Sequence, residues 1–238
     1  MKRIIAALLL AITAYLLGWT NLFAVKSFEV IDENSTRKTI IENSLDLSAQ
    51  IGKPMARIDR RELNGRLKSL TWADQIDLSR NFLTGKITLT VLPEVALAKL
   101  NSGWTAVPGQ VPYLAEDLSL IYVNRDEAYF LEKSPLLKPG SELPEINLGS
   151  DDEDLKRSIR DLISELKKWA ILGISAPDEG NISSTLIQER RKLEVYWGNV
   201  KETELKLEVL NRLLDLKENQ RAKSFDLSNP LSPIANSN

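Results

Sequence analysis

The sequence predicts an α+β protein with three parts. These are an N-terminal transmembrane helix, a first domain ordered strand, helix, helix, strand, strand, and a mixed β domain with two long helices. Three observations predict this fold class. A charge-free apolar run follows two positive residues at the start of the chain. Residues 25–95 alternate between helical and strand-like hydrophobic periodicity, and strongly amphipathic segments begin near residues 151 and 201 among short alternating runs.

Composition excludes several classes of function. The chain has 238 residues, enough for one or two domains, and 31 basic residues balance 33 acidic ones. This balance gives no electrostatic reason to expect nucleic-acid binding. The chain contains neither cysteine nor histidine, which excludes disulfides, thiol nucleophiles, histidine-dependent triads and most zinc sites. Carboxylate, Ser–Lys and calcium chemistry remain open.

The N-terminal segment predicts a membrane anchor. Lys2 and Arg3 precede a run without charges that continues to Val25. About 20 apolar residues in a helix cross a hydrocarbon core of ~30 Å. The positive residues place the tail, residues 1–3, in the cytoplasm and the bulk of the chain outside, with residues 4–24 as the anchor. A cleaved signal peptide is the alternative, but Leu22 is a poor residue three positions before cleavage.

The first domain, residues 25–95, is predicted from periodicity and capping residues. Phe28 and Val30 alternate with Ser27 and Glu29 as in a strand, and Ser35 is a suitable N-cap for the helix that follows. Asp59, with a glutamate three residues later, begins a second helix. A hairpin turning at residues 81–85 completes the domain.

The second domain, residues 96–228, is predicted from two helical stripes and several short strands. The first helix, in residues 151–170, has an apolar stripe of helical spacing. Its members are Leu155, Ile159, Leu162, Ile163, Leu166 and Trp169. The second helix, in residues 201–220, is expected to bury Leu205, Val209, Leu213 and Leu216. A short strand with Phe225 and Leu227 on one face leads into a proline-containing tail, residues 229–238.

Three features resemble chemical sites, and each has a stronger structural interpretation. The acidic run at residues 151–154 suits a helix N-terminus better than a calcium loop. Ser35 and Lys38 have Ser-x-x-Lys spacing, but a cap is the better use of Ser35. Arg57, Arg60 and Arg61 are a basic patch suited to anionic lipid or to a solvated helix start. We therefore predict no enzyme activity, catalytic residue, cofactor or metal.

The order of motifs resembles the bacterial cell-division proteins of the FtsQ/DivIB family. After the basic start and apolar run come FEVIDENSTRKTIIE, GKPMARID and LKSLTWADQIDLSRNFLTGKITLTVLPEVALA. EVYWGNVKETELKLEVLNRLL and AKSFDLSNPLSPI follow near the end. The resemblance implies that residues 25–95 form a POTRA (polypeptide-transport-associated) domain, followed by an FtsQ-type β domain. In this interpretation Gly52 permits a turn, Ile58 packs inward and Asp59 caps the next helix.

The resemblance also implies a function, partners and a location. The protein would be a non-enzymatic scaffold of the division machinery at the septum, a single-pass protein of the plasma membrane linking early and late division proteins. Its partners would be bitopic proteins of the FtsB/DivIC and FtsL type, other membrane proteins of the division complex, and lipid through the anchor, without nucleic acid.

The resemblance places the partner-binding site at the end of the chain. In relatives, the last strands accept a partner strand by β-augmentation. By position, the implied partner-binding residues are Ser224, Phe225, Asp226, Leu227, Ser228, Ser232, Pro233, Ile234 and Ala235. Phe225 and Leu227 are expected to anchor their strand to the core.

Two alternatives stay open. The first is another single-pass POTRA protein acting in export or envelope assembly, although such proteins often repeat the POTRA unit or end in a barrel. The second is an anchored cell-wall hydrolase with a pair of carboxylates, although no pattern in the sequence nominates that pair.

Overall fold

A computed structural model describes residues 2–19, 23–32, 34–104, 108–188 and 191–237. The chain divides into two compact units, Met1–Glu94 and Val95–Asn238. Each unit has its own sheet and its own buried core.

The predicted membrane anchor is wrong. The N-terminal helix α1 spans Lys2–Trp19, and none of the described helices combines the length and the apolar character needed to cross a membrane. The uncharged part of α1, residues 4–19, at 1.5 Å per residue, is shorter than a hydrocarbon core of ~30 Å. The single-pass plasma-membrane arrangement derived from the anchor is withdrawn with it. Met1 and residues 20–22 lie outside the described residues.

In the part of the first unit that the structure describes, a three-stranded sheet and two further α-helices follow α1. Its elements are β1 (Ser27–Ile31), α2 (Ser35–Ser44), α3 (Arg60–Leu67), β2 (Ala73–Asn81) and β3 (Lys86–Pro93). This is the predicted order of elements after α1. The central strand is β3, which pairs in parallel with β1 and antiparallel with β2. Every second residue of β3 is apolar and buried, and the apolar residues of α3 recur at helical spacing. Both sets belong to the core of this unit.

The helix starts of the first unit follow the predicted chemistry, with one correction. Asp59 accepts a hydrogen bond from the Arg61 amide at 2.8 Å and caps α3, as predicted. The N-cap of α2 is Asn34 rather than Ser35, because the Asn34 side chain accepts from the amides of Thr36 and Arg37. Asn and Ser are equally good caps, so the sequence does not distinguish the two positions.

Among its described residues, the second unit contains a mixed sheet of ten strands and two α-helices. The strands of its first half are β4 (Val95–Leu100), β5 (Gln110–Ala115), β6 (Leu120–Asn124), β7 (Glu132–Lys133) and β8 (Glu145–Leu148). Then come α4 (Glu153–Glu165), β9 (Ala170–Ala176), β10 (Ile182–Gln188), β11 (Arg191–Gly198), α5 (Thr203–Asp215), β12 (Ser224–Asp226) and β13 (Ile234–Asn236). The spatial order is β13-β12-β11-β10-β9-β8-β4-β5-β6, and β7 pairs with β4 away from this path.

The predicted fold class is wrong on two further counts. The protein is mixed α/β rather than α+β, because β8 pairs in parallel with both β4 and β9, and β12 pairs in parallel with β11. Parallel pairing is set by long-range contacts that periodicity does not report. The two helices of the second unit are also not long, since α4 and α5 have 13 residues each.

The core of the second unit lies between the sheet and its two helices. The predicted stripe of α4 is confirmed as core, since Leu155, Ile159, Leu162, Ile163 and Leu166 are all buried. The stripe predicted for α5 is confirmed for Val209 and Leu213, which are half-buried against the core, and is wrong for Leu205 and Leu216, which are 40% and 44% exposed. The residues of α5 that are buried are Thr203, Lys206 and Leu210.

Candidate partner-binding edge

The strand β12 lies one position inside the end of the large sheet. It runs parallel to β11, with Val195 opposite Phe225. The Glu194 amide donates to the Lys223 carbonyl at 2.9 Å, and the Leu227 amide donates to the Tyr196 carbonyl at 2.8 Å. These bonds continue the ladder of β11 into the segment for which the resemblance implies partner binding.

The other side of β12 is covered by the chain's own strand β13. The two strands are antiparallel, with Phe225 opposite Ala235 and Asp226 opposite Ile234. The Lys223 amide donates to the Asn236 carbonyl at 2.8 Å. Within the part of the chain that the structure describes, β13 is therefore the outer strand at this end of the sheet.

The structure brings the two halves of the predicted site together. Ser224, Phe225 and Asp226 form β12, and Ile234 and Ala235 belong to β13. Leu227 and Ser228 follow β12 directly, and Ser232 and Pro233 lie in the connection between the strands. Whether these residues bind a partner stays a prediction. The sequence analysis did not anticipate that one half of the site would pair with the other.

Burial separates anchoring side chains from accessible ones at this edge. Phe225 and Leu227 are buried in the main core of the unit, in agreement with their expected anchoring role. Ala235 is half-buried and packs against the same core, whereas Ile234 is 54% exposed. Consequently Ala235 alone among the three residues of β13 has a side chain seated on the core.

The turn after β12 depends on close contact with a glycine. Gly198, at the end of β11, has φ of +66°, and a Cβ there would lie 3.0 Å from Ser228 Cβ. Ser228 is held by Asp226, whose Oδ1 accepts from the Ser228 amide at 2.9 Å and from its hydroxyl at 2.7 Å. The chain therefore leaves β12 along a defined path toward the segment that returns as β13.

The open face of the sheet beside this edge is concave, and most of the residues that line it are polar. The concavity has a volume of about 810 Å³ and extends across strands β8 to β13. Polar side chains of period two line it, including Asn147, Ser175, Ser183, Thr185, Glu194, Tyr196, Ser224, Asp226 and Asn236. The opposite face carries the helices, so β12 and β13 are accessible from the edge and from one face.

A buried lysine fixes the strand on which β12 is built. The Nζ of Lys206 donates to the carbonyl oxygens of Trp197 and Asn199, each at 2.7 Å. Burial lowers the pKa of Lys206, and the negative charges of Glu202 and Asp226 oppose that shift. This contact ties α5 to the end of β11. Lys206 lies outside the apolar stripe predicted for this helix, so the periodic pattern does not indicate its burial.

The other sequence candidates take structural positions. Asp152 caps α4 by accepting from the Asp154 and Leu155 amides, as the acidic-start interpretation predicts. Oxygens of Asp152, Asp154 and Glu179 lie within 4.8 Å of one another, but all three residues are exposed. Exposed acidic clusters of this kind are common on protein surfaces, and nothing further at the cluster points to an ion.

The two remaining candidates belong to the first unit. Ser35 is the first residue of α2, and Lys38 follows three residues later. The carbonyl of Ser35 accepts from the Thr39 hydroxyl at 3.1 Å. Arg60 and Arg61 begin α3, where Arg60 lies 3.7 Å from Asp77. The arginines agree with the interpretation as a helix start, whereas the interpretation of Ser35 as a cap is wrong, because Asn34 is the cap.

No protein-family model matches the chain, and the search of curated proteins finds no match either. The FtsQ/DivIB resemblance is therefore carried by the motif order alone, and it remains a prediction.

Proposed function

We propose that this protein is a non-enzymatic scaffold of the bacterial division machinery, of the FtsQ/DivIB type. It links early and late division proteins by accepting an extended segment of a partner at the β12–β13 edge. The partners in this proposal are small coiled-coil proteins of the FtsB/DivIC and FtsL type. The proposal combines the motif order in the sequence with one structural observation: the implied binding residues lie together at one end of a large mixed sheet.

The physical basis of this proposal is strand addition. A strand at the end of a sheet presents backbone N–H and C=O groups that a second chain can pair with. The residues of β13 are Ile234, Ala235 and Asn236, and none of them is charged or is a proline. The polar concavity beside it offers side-chain contacts to the same segment.

The proposal is tested by measuring binding and its location together. The intact chain is mixed with the purified FtsB/FtsL-type pair from the same organism, and amide hydrogen exchange is recorded with and without the pair. We expect a stable complex whose exchange changes concentrate in residues 222–237. The β6 edge, Leu120–Asn124, is the internal control and should not change. Absence of a complex, or changes confined to β6, would reject this function.

A further inference from the structure

Strand β13 is held weakly compared with its neighbours. It pairs with β12 over three residues, whereas β10 pairs with β11 along its whole length, from Ile182 to Gln188. Of its three side chains only Ala235 packs on the core. Short edge strands with few buried contacts open at low free energy, well below global unfolding.

The connection that precedes β13 is also mostly solvent-facing. It contains Pro230 and Pro233, which cannot donate backbone hydrogen bonds. Its internal bonds are local, from the Leu231 amide to Asn229 Oδ1 at 3.1 Å and from the Ser232 amide to the Asn229 carbonyl at 3.0 Å. The side chain of Leu231 is 88% exposed. Moving this segment away from the sheet therefore costs few buried contacts.

By contrast, β12 is anchored independently of β13. Phe225 and Leu227 are buried in the core, and bonds to Glu194 and Tyr196 hold the strand on β11. When β13 leaves, β12 keeps its place and exposes a row of backbone groups. That row is a ready acceptor for another strand.

We propose that a partner segment replaces β13 on β12, rather than adding outside it. This inference rests on the proposed function and specifies its mechanism. The incoming strand runs antiparallel to β12 and places a small apolar side chain opposite Phe225, where Ala235 sits. The side chains on either side of it face solvent or the polar concavity, as Ile234 and Asn236 do. Many residue types therefore fit these two positions.

Replacement makes β13 an internal competitor. The bonds lost by β13 are remade by the partner, so the net gain comes from contacts beyond these three residues. The apparent affinity equals the affinity for molecules with a free β12 multiplied by the fraction of molecules in that state. A partner that offers a longer strand, and also contacts the concavity, overcomes this competition.

The experiment locks β13 in place with the only disulfide in the protein. Ser224 and Asn236 are directly opposite on β12 and β13, and both line the concavity. Opposite residues of antiparallel strands have Cα atoms about 4.5–5.5 Å apart, within the range for a disulfide. Because the natural chain has no cysteine, the S224C/N236C variant forms this bond alone. The reduced form of the same double variant is the matched control.

We expect the oxidised double variant to bind the FtsB/FtsL-type pair at least about tenfold more weakly than the reduced form, with reductant restoring binding. In the reduced form, binding should increase amide exchange at residues 234–236, because β13 is released. Equal binding by both forms, or greater protection of residues 234–236, would overturn replacement while leaving the proposed function intact. Failure of the wild-type chain to bind the pair would reject the proposed function itself.

Discussion

The ammonium group of Lys206 lies in the interior of the second unit, where its residue is 2% exposed. A buried charge is tolerated only when hydrogen bonds replace its water. Here two backbone carbonyls provide them, both from the end of β11 and the turn after it. The lysine thus donates to the buried carbonyl of Trp197 and to the carbonyl of Asn199 in the turn that follows.

Replacing Lys206 with Met should destabilise the second unit. The substitution keeps most of the apolar stem but leaves the carbonyls of Trp197 and Asn199 without their donor. Each unsatisfied buried group costs about 1–3 kcal/mol. We expect the opening free energy of the β11 amides, measured by native-state hydrogen exchange, to fall by about that amount. Lys201→Met, at an exposed position in the preceding turn, is the control and should change it by less than about 0.5 kcal/mol. Equal stability of the two variants would contradict the assigned role.

The burial of Tyr113 predicts that the stability of the fold depends on pH in the alkaline range. Its side chain is buried, and burial raises its pKa above the ordinary 10.0, although the charge of Lys99 acts in the opposite direction. As pH rises through 10, the unfolded chain loses this proton first. The stability that the group contributes is therefore present below pH 10 and is lost as pH rises through the higher folded-state pKa.

The measurement is an ultraviolet titration of tyrosinate in the folded protein. Subtracting the curve of Tyr113→Phe from that of the wild type isolates this residue, and its midpoint should lie above 10.0. The wild type should also lose more thermal stability than Tyr113→Phe above pH 10. A midpoint at or below 10.0 would show that the Lys99 charge outweighs burial.

At the scale of elements, α4 combines several signals by which a helix can be found from sequence, although its last turn has no basic residue. Its apolar residues keep one face over three turns, and its first turn is acidic, which suits the positive end of the helix dipole. Asp152 supplies the cap. α5 has a weaker pattern because leucines occur on more than one face, so packing selects the face that is buried.

The cap of α4 gives a prediction at this scale. Asp152→Ala removes the acceptor for the Asp154 and Leu155 amides, at 2.9 and 3.0 Å, and should destabilise the helix start by about 1 kcal/mol. Asp152→Asn keeps an acceptor and should cost only a small part of that. Faster exchange of these two amides in the alanine variant, but not in the asparagine variant, is the expected result. If both variants behave alike, the charge rather than the hydrogen bonds stabilises the helix start.

At the scale of the whole molecule, a mixed sheet joins strands from both ends of the second unit. β8 connects them, because it pairs with β4 on one side and β9 on the other. The sheet therefore ends in two very different strands, β6 and β13. The first belongs to an antiparallel hairpin with β5, and the second is held by three residues of β12.

Loosening β13 should strengthen partner binding if the partner replaces it. Ala235→Glu places a charge where a small side chain packs against the core. This charge should release β13, while the sequence of β12 stays unchanged. We expect a lower apparent Kd for the FtsB/FtsL-type pair and faster exchange of residues 234–236. Asn236→Glu, at an exposed position on the same strand, is the control for added charge. A higher Kd for Ala235→Glu would instead favour addition of the partner outside β13.

The sequence by itself determined the local elements with strong periodicity. The stripe of α4 and the alternation of Leu193, Val195 and Trp197 on β11 identify buried faces, and all three β11 residues are buried. Asp59 marks the start of α3 and Asp152 that of α4. These signals are readable because side chains a few residues apart share one environment.

Only the tertiary structure decided how the strands pair and which polar side chains are buried in the core. Every residue except proline carries the same backbone donor and acceptor, so nothing in the residue types announces that β12 joins β11 in parallel or that β13 covers β12. Lys206 becomes a core residue through carbonyls of another element. α4 ends at Glu165, before the end of the periodic segment 151–170, because the extent of a pattern in the sequence does not determine where a helix stops. Pairing, helix ends and polar burial depend on neighbours brought together by folding, which periodicity along the chain cannot report.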